Sequence, residues 1–278
     1  MGRVNKSNGK LTNLILCVLG FIWLFPFTFA LVNAVKSGPE YNQGNFWDWP
    51  KGISITNSFD FISERVSFGQ GFINSILYGV VSSTVAILLA ALAAYAITKL
   101  NIRGRFFWFI LIYSGTIFPF QMYLVPVYRL YANLGLYDTQ MGLILFYTAI
   151  SIPFCTFVLR NFFNSIDKEQ GKAAKIDGAS DFQIFCQIYI PMAKAPISAL
   201  FLFQFSFVWN DLLFGLTFSK SGNVRPIMTV LSQLNGPSGA TTNAPAVLLA
   251  CGIASIPTII IYILLNKNFE EGFVMGGK

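Results

Sequence analysis

EQGKAAKIDGASDFQIFCQIYIP, residues 169–191, is a charged segment set between two apolar runs and closed by a proline where the second run begins. Its polarity stands out because the rest of the chain is so apolar. Of 278 residues, 54% are hydrophobic, 29 are phenylalanine and only 11% are charged. That charged fraction is under half of the ~25% usual for soluble domains. Such a composition belongs to a membrane protein. A polar segment kept outside the bilayer between two spans needs a reason, and docking a soluble partner is the leading one.

The charge-free runs define the spans. Lys10 to Lys36 encloses 25 uncharged residues, Arg65 to Lys99 encloses 33, Arg105 to Arg129 encloses 23 and Asp138 to Arg160 encloses 21. Two further runs follow the charged segment. A spanning helix needs about 20 apolar residues, so the chain reads as six transmembrane helices near 11–35, 71–98, 106–128, 139–160, 192–217 and 245–266. None of these runs has a two-residue alternation, and lipid cannot satisfy a free backbone, so helices are expected rather than a barrel. The fold class is therefore an all-α integral membrane protein. The first run exceeds the 7–15 residues of a signal-peptide core and reads as a retained helix.

Net charge is +7, and it sorts by side. With the N-terminus inside, thirteen Lys and Arg fall on cytoplasmic segments and six on outer ones. That bias places both termini in the cytoplasm of a bacterial-type cell membrane. The basic excess thus marks orientation, with anionic lipid contact secondary and no nucleic acid implied. There is no histidine, which excludes Ser–His catalysis and imidazole metal sites. The four cysteines have no metal-like spacing and read as small apolar fillers. No catalytic and no metal-binding residue is assigned.

Along the chain, Phe46, Trp47 and Trp49, followed by Pro50, suit a membrane interface. The second span is rich in Ala, Ser, Thr and Gly, so it is expected to pack closely among other helices. Pro119, Gln121 and Pro126 predict kinks in the third. In the charged segment, Asp167 with Gln170 predicts a capped helix from about Ser165 to Asp177, stopped at Gly178. Ser180 with Gln183 predicts a second helix, with Phe182, Phe185, Cys186 and Tyr189 pressed toward the membrane helices. Residues 218–244 hold a Gly- and Pro-rich, uncharged finger.

The charged segment resembles the cytoplasmic signature of ABC importer permeases: Glu-Ala-Ala, three residues, Gly, nine residues, Ile-x-Leu-Pro. Here Lys172-Ala173-Ala174 is followed by three residues, Gly178, nine residues and Ile188-Tyr189-Ile190-Pro191. AAKIDGAS, together with WND in the fifth span, is similar to the carbohydrate branch, the smaller six-helix permease of the maltose type. The resemblance covers about residues 70–278, so the chain divides into residues 1–69, a first helix and outer loop, and residues 70–278, a five-helix core with a coupling segment at 165–190. It departs from the family at Lys172, which stands where the family has glutamate; Glu169, one turn earlier, is the nearest replacement for that charge.

The resemblance implies an assembly of two permeases, two ABC ATPase subunits that carry ATP and Mg, an extracytoplasmic solute-binding protein and a sugar substrate. The second permease is expected to be a different chain. The chain itself has no GxxxxGK[ST] run to cradle ATP phosphates and is not expected to be an enzyme. Glu169, Lys172, Ala173, Ala174, Asp177, Gly178 and Ala179 would couple to the ATPase, the two alanines offering a bare face for its groove. Uncharged sugars need hydrogen-bonding groups and aromatic faces, which Gln121, Tyr123, Gln204, Trp209, Asn210 and Asp211 supply. Asn235, Gly236, Gly239 and Asn243 of the finger would reach the binding protein. A self-contained secondary transporter and a non-transporting membrane scaffold are the alternatives. The first would want ion-coupling carboxylates deep within spans, and only Asp211 is available.

Overall fold

The computed structural model describes residues 6–234 and 243–275, and these are helical with no strand among them. The N-terminal helix α1 (Lys6–Ala34) is followed by the short α2 (Gly38–Gln43) and α3 (Ile55–Arg65). Next come α4 (Phe68–Lys99), α5 (Arg105–Tyr113), α6 (Leu124–Leu134) and α7 (Gln140–Ser165). The charged segment forms α8 (Lys168–Ile176) and α9 (Asp181–Ile184), a π-helical turn (Phe185–Tyr189) and α10 (Ile190–Met192). The chain continues through α11 (Lys194–Trp209), α12 (Leu213–Phe218), α13 (Ile227–Leu234) and α14 (Ala244–Met275).

Four helices are long and apolar enough to cross a membrane, and the number rises to six if each of two bent pairs counts as one span. Both bends revise the expected elements. The third run is not a kinked helix: α5 and α6 are broken apart by 92° through two 3-10 turns, Ser114–Thr116 and Phe120–Tyr123. Pro119 supplies the break, since it lacks an amide donor and cannot continue the first turn. Tyr123 donates its hydroxyl to the Gly115 carbonyl across it at 3.1 Å, satisfying an acceptor that the break frees. The fifth run ends at Trp209 and restarts at Leu213, and α11 is turned 75° from the α9–α10 segment before it.

The chain forms two compact units, Met1–Val66 with Leu231–Ser255 and Ser67–Val230 with Ile256–Lys278. In the first, α1 carries large apolar residues around its whole surface, with Phe21 71% and Trp23 82% exposed. A helix apolar on every side requires lipid or another protein around it. Trp47 lies over Phe29 and Phe25 of α1, with ring centroids 4.8 and 6.1 Å away, so the interfacial aromatic cluster closes onto the first span.

In the second unit, α4 is the central helix and packs along α7 and α11. Its small residues explain why. Gly79, Ser82, Ser83, Ala86, Ala90, Ala91 and Ala94 are all buried and recur at helical spacing. Without bulky side chains the helices approach closely: a Cβ placed on Gly79 would sit 2.7 Å from the Phe205 ring of α11. The opposite face of α4 carries Ile73, Leu88, Leu89 and Leu92, all exposed. The expectation of a helix packed among others therefore holds for one face and not for the other.

At its N-terminal end α4 also grips the chain ahead of α13. The Asn74 side chain, fully buried, donates to the carbonyls of Asn223 at 2.9 Å and Arg225 at 3.1 Å. Ser75 accepts from the amide of Ile227 at 2.7 Å, and Tyr78 donates to the carbonyl of Val224 at 2.8 Å. Beside them Asp138 accepts from the amides of Lys220 at 2.7 Å and Ser221 at 2.9 Å. Burial works to raise the Asp138 pKa, but those amides, the Ser221 hydroxyl and the charge of Arg225 outweigh it and hold the carboxyl below its usual range. A lowered carboxyl pKa contributes stability that is complete above the ordinary value and is lost as pH falls through the lowered one. The protection of the Lys220 and Ser221 amides, their exchange relative to an unstructured amide at the same pH, should therefore be high near neutral pH and fall in acid. Asp138→Asn should remove that acid dependence while keeping the backbone, because asparagine tolerates the positive φ of 56° found here. Protection independent of pH in the native chain would contradict this.

Candidate functional site

The charged segment is built from capped helix ends, of which the one at Ser180 is reciprocal and the one at Asp167 is not. Asp167 caps α8, its carboxylate accepting from the Glu169 amide at 3.1 Å. At the other end Asp177 leaves the helix, Gly178 takes φ +86°, and the chain reverses. The Ala179 amide donates to the Ala174 carbonyl at 3.0 Å and the Gly178 amide to the Lys175 carbonyl at 3.2 Å. That bond pair is a Schellman stop, which needs a residue able to adopt the left-handed conformation. Ser180 then opens α9 with a capping box, its hydroxyl accepting from the Gln183 amide while Gln183 accepts from the Ser180 amide. Both predicted helices exist, with the first shortened to 168–176.

The segment is locked to the bundle by aromatic residues. Tyr95 of α4 donates its hydroxyl to the Asp181 carbonyl at 3.1 Å, and its ring centroid lies 5.2 Å from those of both Phe185 and Tyr189. Phe163 of α7 meets Tyr189 edge-on at 5.7 Å. Lys99 donates to the Ile166 carbonyl at 2.9 Å and lies 5.1 Å from the centre of the Tyr189 ring. The π-helical turn widens the spacing, so Ile184, Phe185 and Tyr189 all point inward. Phe182 and Cys186, expected on the same stripe, are exposed. A regular helical period does not survive a five-residue turn.

The surface of α8 is likewise more specific than the sequence showed. Ala174 and Ala179 are half-buried against the aromatic core, and a Cβ on Gly171 would stand 3.1 Å from the Tyr189 hydroxyl. The outward face carries Ala173, Asp177 and Gly178, together with Ile176 at 86% exposure. Phe182, 68% exposed, adds a second bare apolar side chain. Sequence reasoning missed Ile176 and Phe182, and large exposed apolar groups in a polar loop were the available signal. Lys172 pairs with Glu169 at 2.9 Å, and Lys175 with Asp181 at 2.9 Å. Both pairs are exposed, and exposed ion pairs add little to stability. The hydrogen bond and charge of Glu169 raise the Lys172 pKa.

The six residues expected along a solute path have different individual surroundings. Tyr123 lines an apolar cavity of about 320 Å³ together with Gly115, Tyr131, Phe146 and Pro153. Gln121 and Asn210 are exposed, the latter donating to the Ser206 carbonyl at 2.8 Å. Gln204 and Trp209 are buried, and Trp209 stacks on Phe205 at 5.5 Å and meets Phe72 edge-on at 5.4 Å. Asp211 accepts from the Tyr147 hydroxyl at 2.8 Å and from the amides of Phe214 and Gly215 at 3.1 and 2.9 Å, which starts α12 after the break. Of the finger residues, Asn235, Gly236 and Gly239 lie outside the described residues; Asn243 opens α14, its side chain accepting from the Ala246 amide at 3.3 Å.

Residues 81–274 match the family described as binding-protein-dependent transport system inner membrane component. The osmoprotective compounds uptake permease GgtD of Synechocystis is 29% identical, covering 99% of this chain and 96% of its own. The alpha-glucoside transport system permease AglG of Rhizobium meliloti is 30% identical over 82% of this chain and 60% of its own length. A bacterial ABC transporter that imports the acidic polysaccharide alginate contains a chain with a TM-score of 0.80 at 24% identity, covering 97% of this chain and 99% of that one. The chain belongs to this family. It is a permease subunit of a binding-protein-dependent ABC importer in the inner membrane, working with a second permease, a separate ATPase and a solute-binding protein.

Two substitutions test how the segment is held. Tyr95→Phe should cost about 1 kcal/mol, the loss of one hydrogen bond, and speed proteolytic cleavage within 166–183. Gly178→Ala meets no neighbouring atom within 4 Å, so it should cost only the left-handed backbone strain of about 1–2 kcal/mol. Cleavage unchanged in Tyr95→Phe would contradict the anchoring.

Proposed function

We propose that this permease imports a sugar or oligosaccharide, with residues 169–179 serving as its grip for the ATPase beneath the membrane. The observation that carries the coupling assignment is the exposed face of α8. Ala173 and Gly178 give it low relief, and Ile176, with Phe182 of the adjoining α9, offers apolar groups that the described residues leave largely exposed. Burying such a side chain stabilises a complex by about 1.5–3 kcal/mol. The positive-inside bias puts this face and both termini in the cytoplasm, where ATP and Mg would bind on the partner ATPase.

Coupling follows from the rigidity of the joint. The ATPase pair closes on ATP and moves the gripped helix. Tyr95, Phe185 and Tyr189 pass that motion to α4 and α7 as a rigid body, and the permease switches from inward-facing to outward-facing. The break at 114–123 lies in the first bent span, and the one at 210–212 follows directly on the end of the second at Trp209. Irregular backbone inside a membrane is tolerated where it lines a cavity or is buried in protein. Gln121, Tyr123 and Asn210 border these breaks and present polar groups to the solute. Gln204, Trp209 and Asp211 shape the same region from within, through the packing and capping described above. Carbohydrate as the solute is supported by the uncharged, hydrogen-bonding character of these groups and by the alpha-glucoside and alginate importers among similar proteins. The finger residues Asn235, Gly236, Gly239 and Asn243 would meet the solute-binding protein.

Ala173 and Ala174 separate docking from folding. Ala173→Trp should fold normally, lose copurifying ATPase and lower ATP-driven uptake at least tenfold, roughly the effect of losing 1.4 kcal/mol at one interface. Ala174→Trp should instead destabilise the chain itself, because its side chain points at the aromatic core. Gly178→Asp should leave the chain in the membrane and uncouple uptake. Normal uptake and ATPase retention in Ala173→Trp would overturn the assignment.

A further inference from the structure

Between the α4–α5 turn and α8 lies a cavity of about 200 Å³, lined partly by residues of the coupling segment. Lys99, Arg105, Lys172 and Lys175 line it, with Asp181 as the one carboxylate among the lining residues and the hydroxyl of Tyr189 at its wall. Lys172 and Lys175 already bond carboxylates, but an ammonium carries three donors, and a guanidinium five. The lining thus keeps a surplus of positive charge and donors directed at a space of phosphate size. Immediately after Arg105, α5 turns Phe106, Phe107 and Trp108 outward, 71%, 63% and 48% exposed. Aromatic side chains of this kind sit at the headgroup level of a bilayer.

We infer that this cavity holds the phosphate of an anionic phospholipid, whose acyl chains lie along the exposed aromatic face of α5. Basic pockets between membrane helices on the cytoplasmic side recognise such headgroups. The apolar face beside the charges is what selects a lipid over a free anion. Because Lys172 and Lys175 belong to α8, a bound lipid ties the coupling helix to the α4–α5 turn and makes its stiffness depend on membrane composition. The inference rests on the membrane placement proposed above and is independent of ATPase docking.

The test is mass spectrometry of the transporter complex purified in mild detergent after exposure to mixed phosphatidylglycerol and phosphatidylcholine. The native chain should retain phosphatidylglycerol selectively. Arg105→Gln should reduce that retention about fivefold, and Asn101→Glu, which adds a carboxylate to the lining, should do the same by a different route. Arg103→Gln, on the same turn but outside the cavity, should retain it. Equal retention in the native, Arg105→Gln and Asn101→Glu proteins overturns the site, as does equal loss in Arg103→Gln. Displacement of the lipid by millimolar inorganic phosphate overturns the lipid assignment in favour of a free anion. The readout needs no ATP, so phosphatidylglycerol retention in a chain whose Ala173→Trp variant still takes up solute would refute the docking proposal while sustaining this one.

Discussion

An aromatic joint centred on Tyr95 holds the polar segment of this protein against its membrane helices. Tyr95, one turn from the end of α4, bonds the first residue of α9 and stacks on both aromatic residues of the π-helical turn. Phe163 against Tyr189 and Lys99 on the Ile166 carbonyl hold the same segment from α7 and from the end of α4, whereas its exposed ion pairs lie within the segment and add little. With these contacts, the end caps, the Schellman reversal and the inward Gly171 and Ala174 become parts of one rigid lever. A lever is useful only if something pushes it, and the bare outward face of α8 is where a push can be applied.

The constraint that shapes the rest is the cost of leaving polar groups unpaired away from water. Two of the breaks carry their own compensation. Tyr123 reaches back to Gly115 at one break, and Asp211 caps the restarted helix at the other. Asn74, Ser75 and Tyr78 hold the backbone of 223–227. These polar side chains inside apolar runs do structural work first. That explains why Gln204, Trp209 and Asp211, which look like solute-binding groups in sequence, are largely committed to their own chain.

The spans were legible because charge is excluded from lipid, and runs between Lys, Arg and Asp marked them directly. The coupling segment was legible through spacing, since Gly178 and Ser180 fix a stop and a start whatever surrounds them. The breaks were underestimated because Pro119 in a long apolar run signals a kink or a full interruption equally well. The direction of Ala174 was hidden because the π-helical turn after Ile184 resets which side chains face the bundle, and no residue in FCQIY announces an extra residue per turn. The grip of Asn74 on a loop 149 residues away is a tertiary pairing that local pattern does not encode.

On the function proposed above, the glycine-stopped helix and the aromatic joint above it would form one mechanical element connecting an external motor to the membrane helices. The most direct measurement is photo-crosslinking from a reactive amino acid placed at Ile176 in a complex that is hydrolysing ATP and importing solute. This account predicts that the ATPase subunit is the principal product and that the yield changes with its nucleotide state. An active complex in which position 176 captures only lipid and detergent would contradict it.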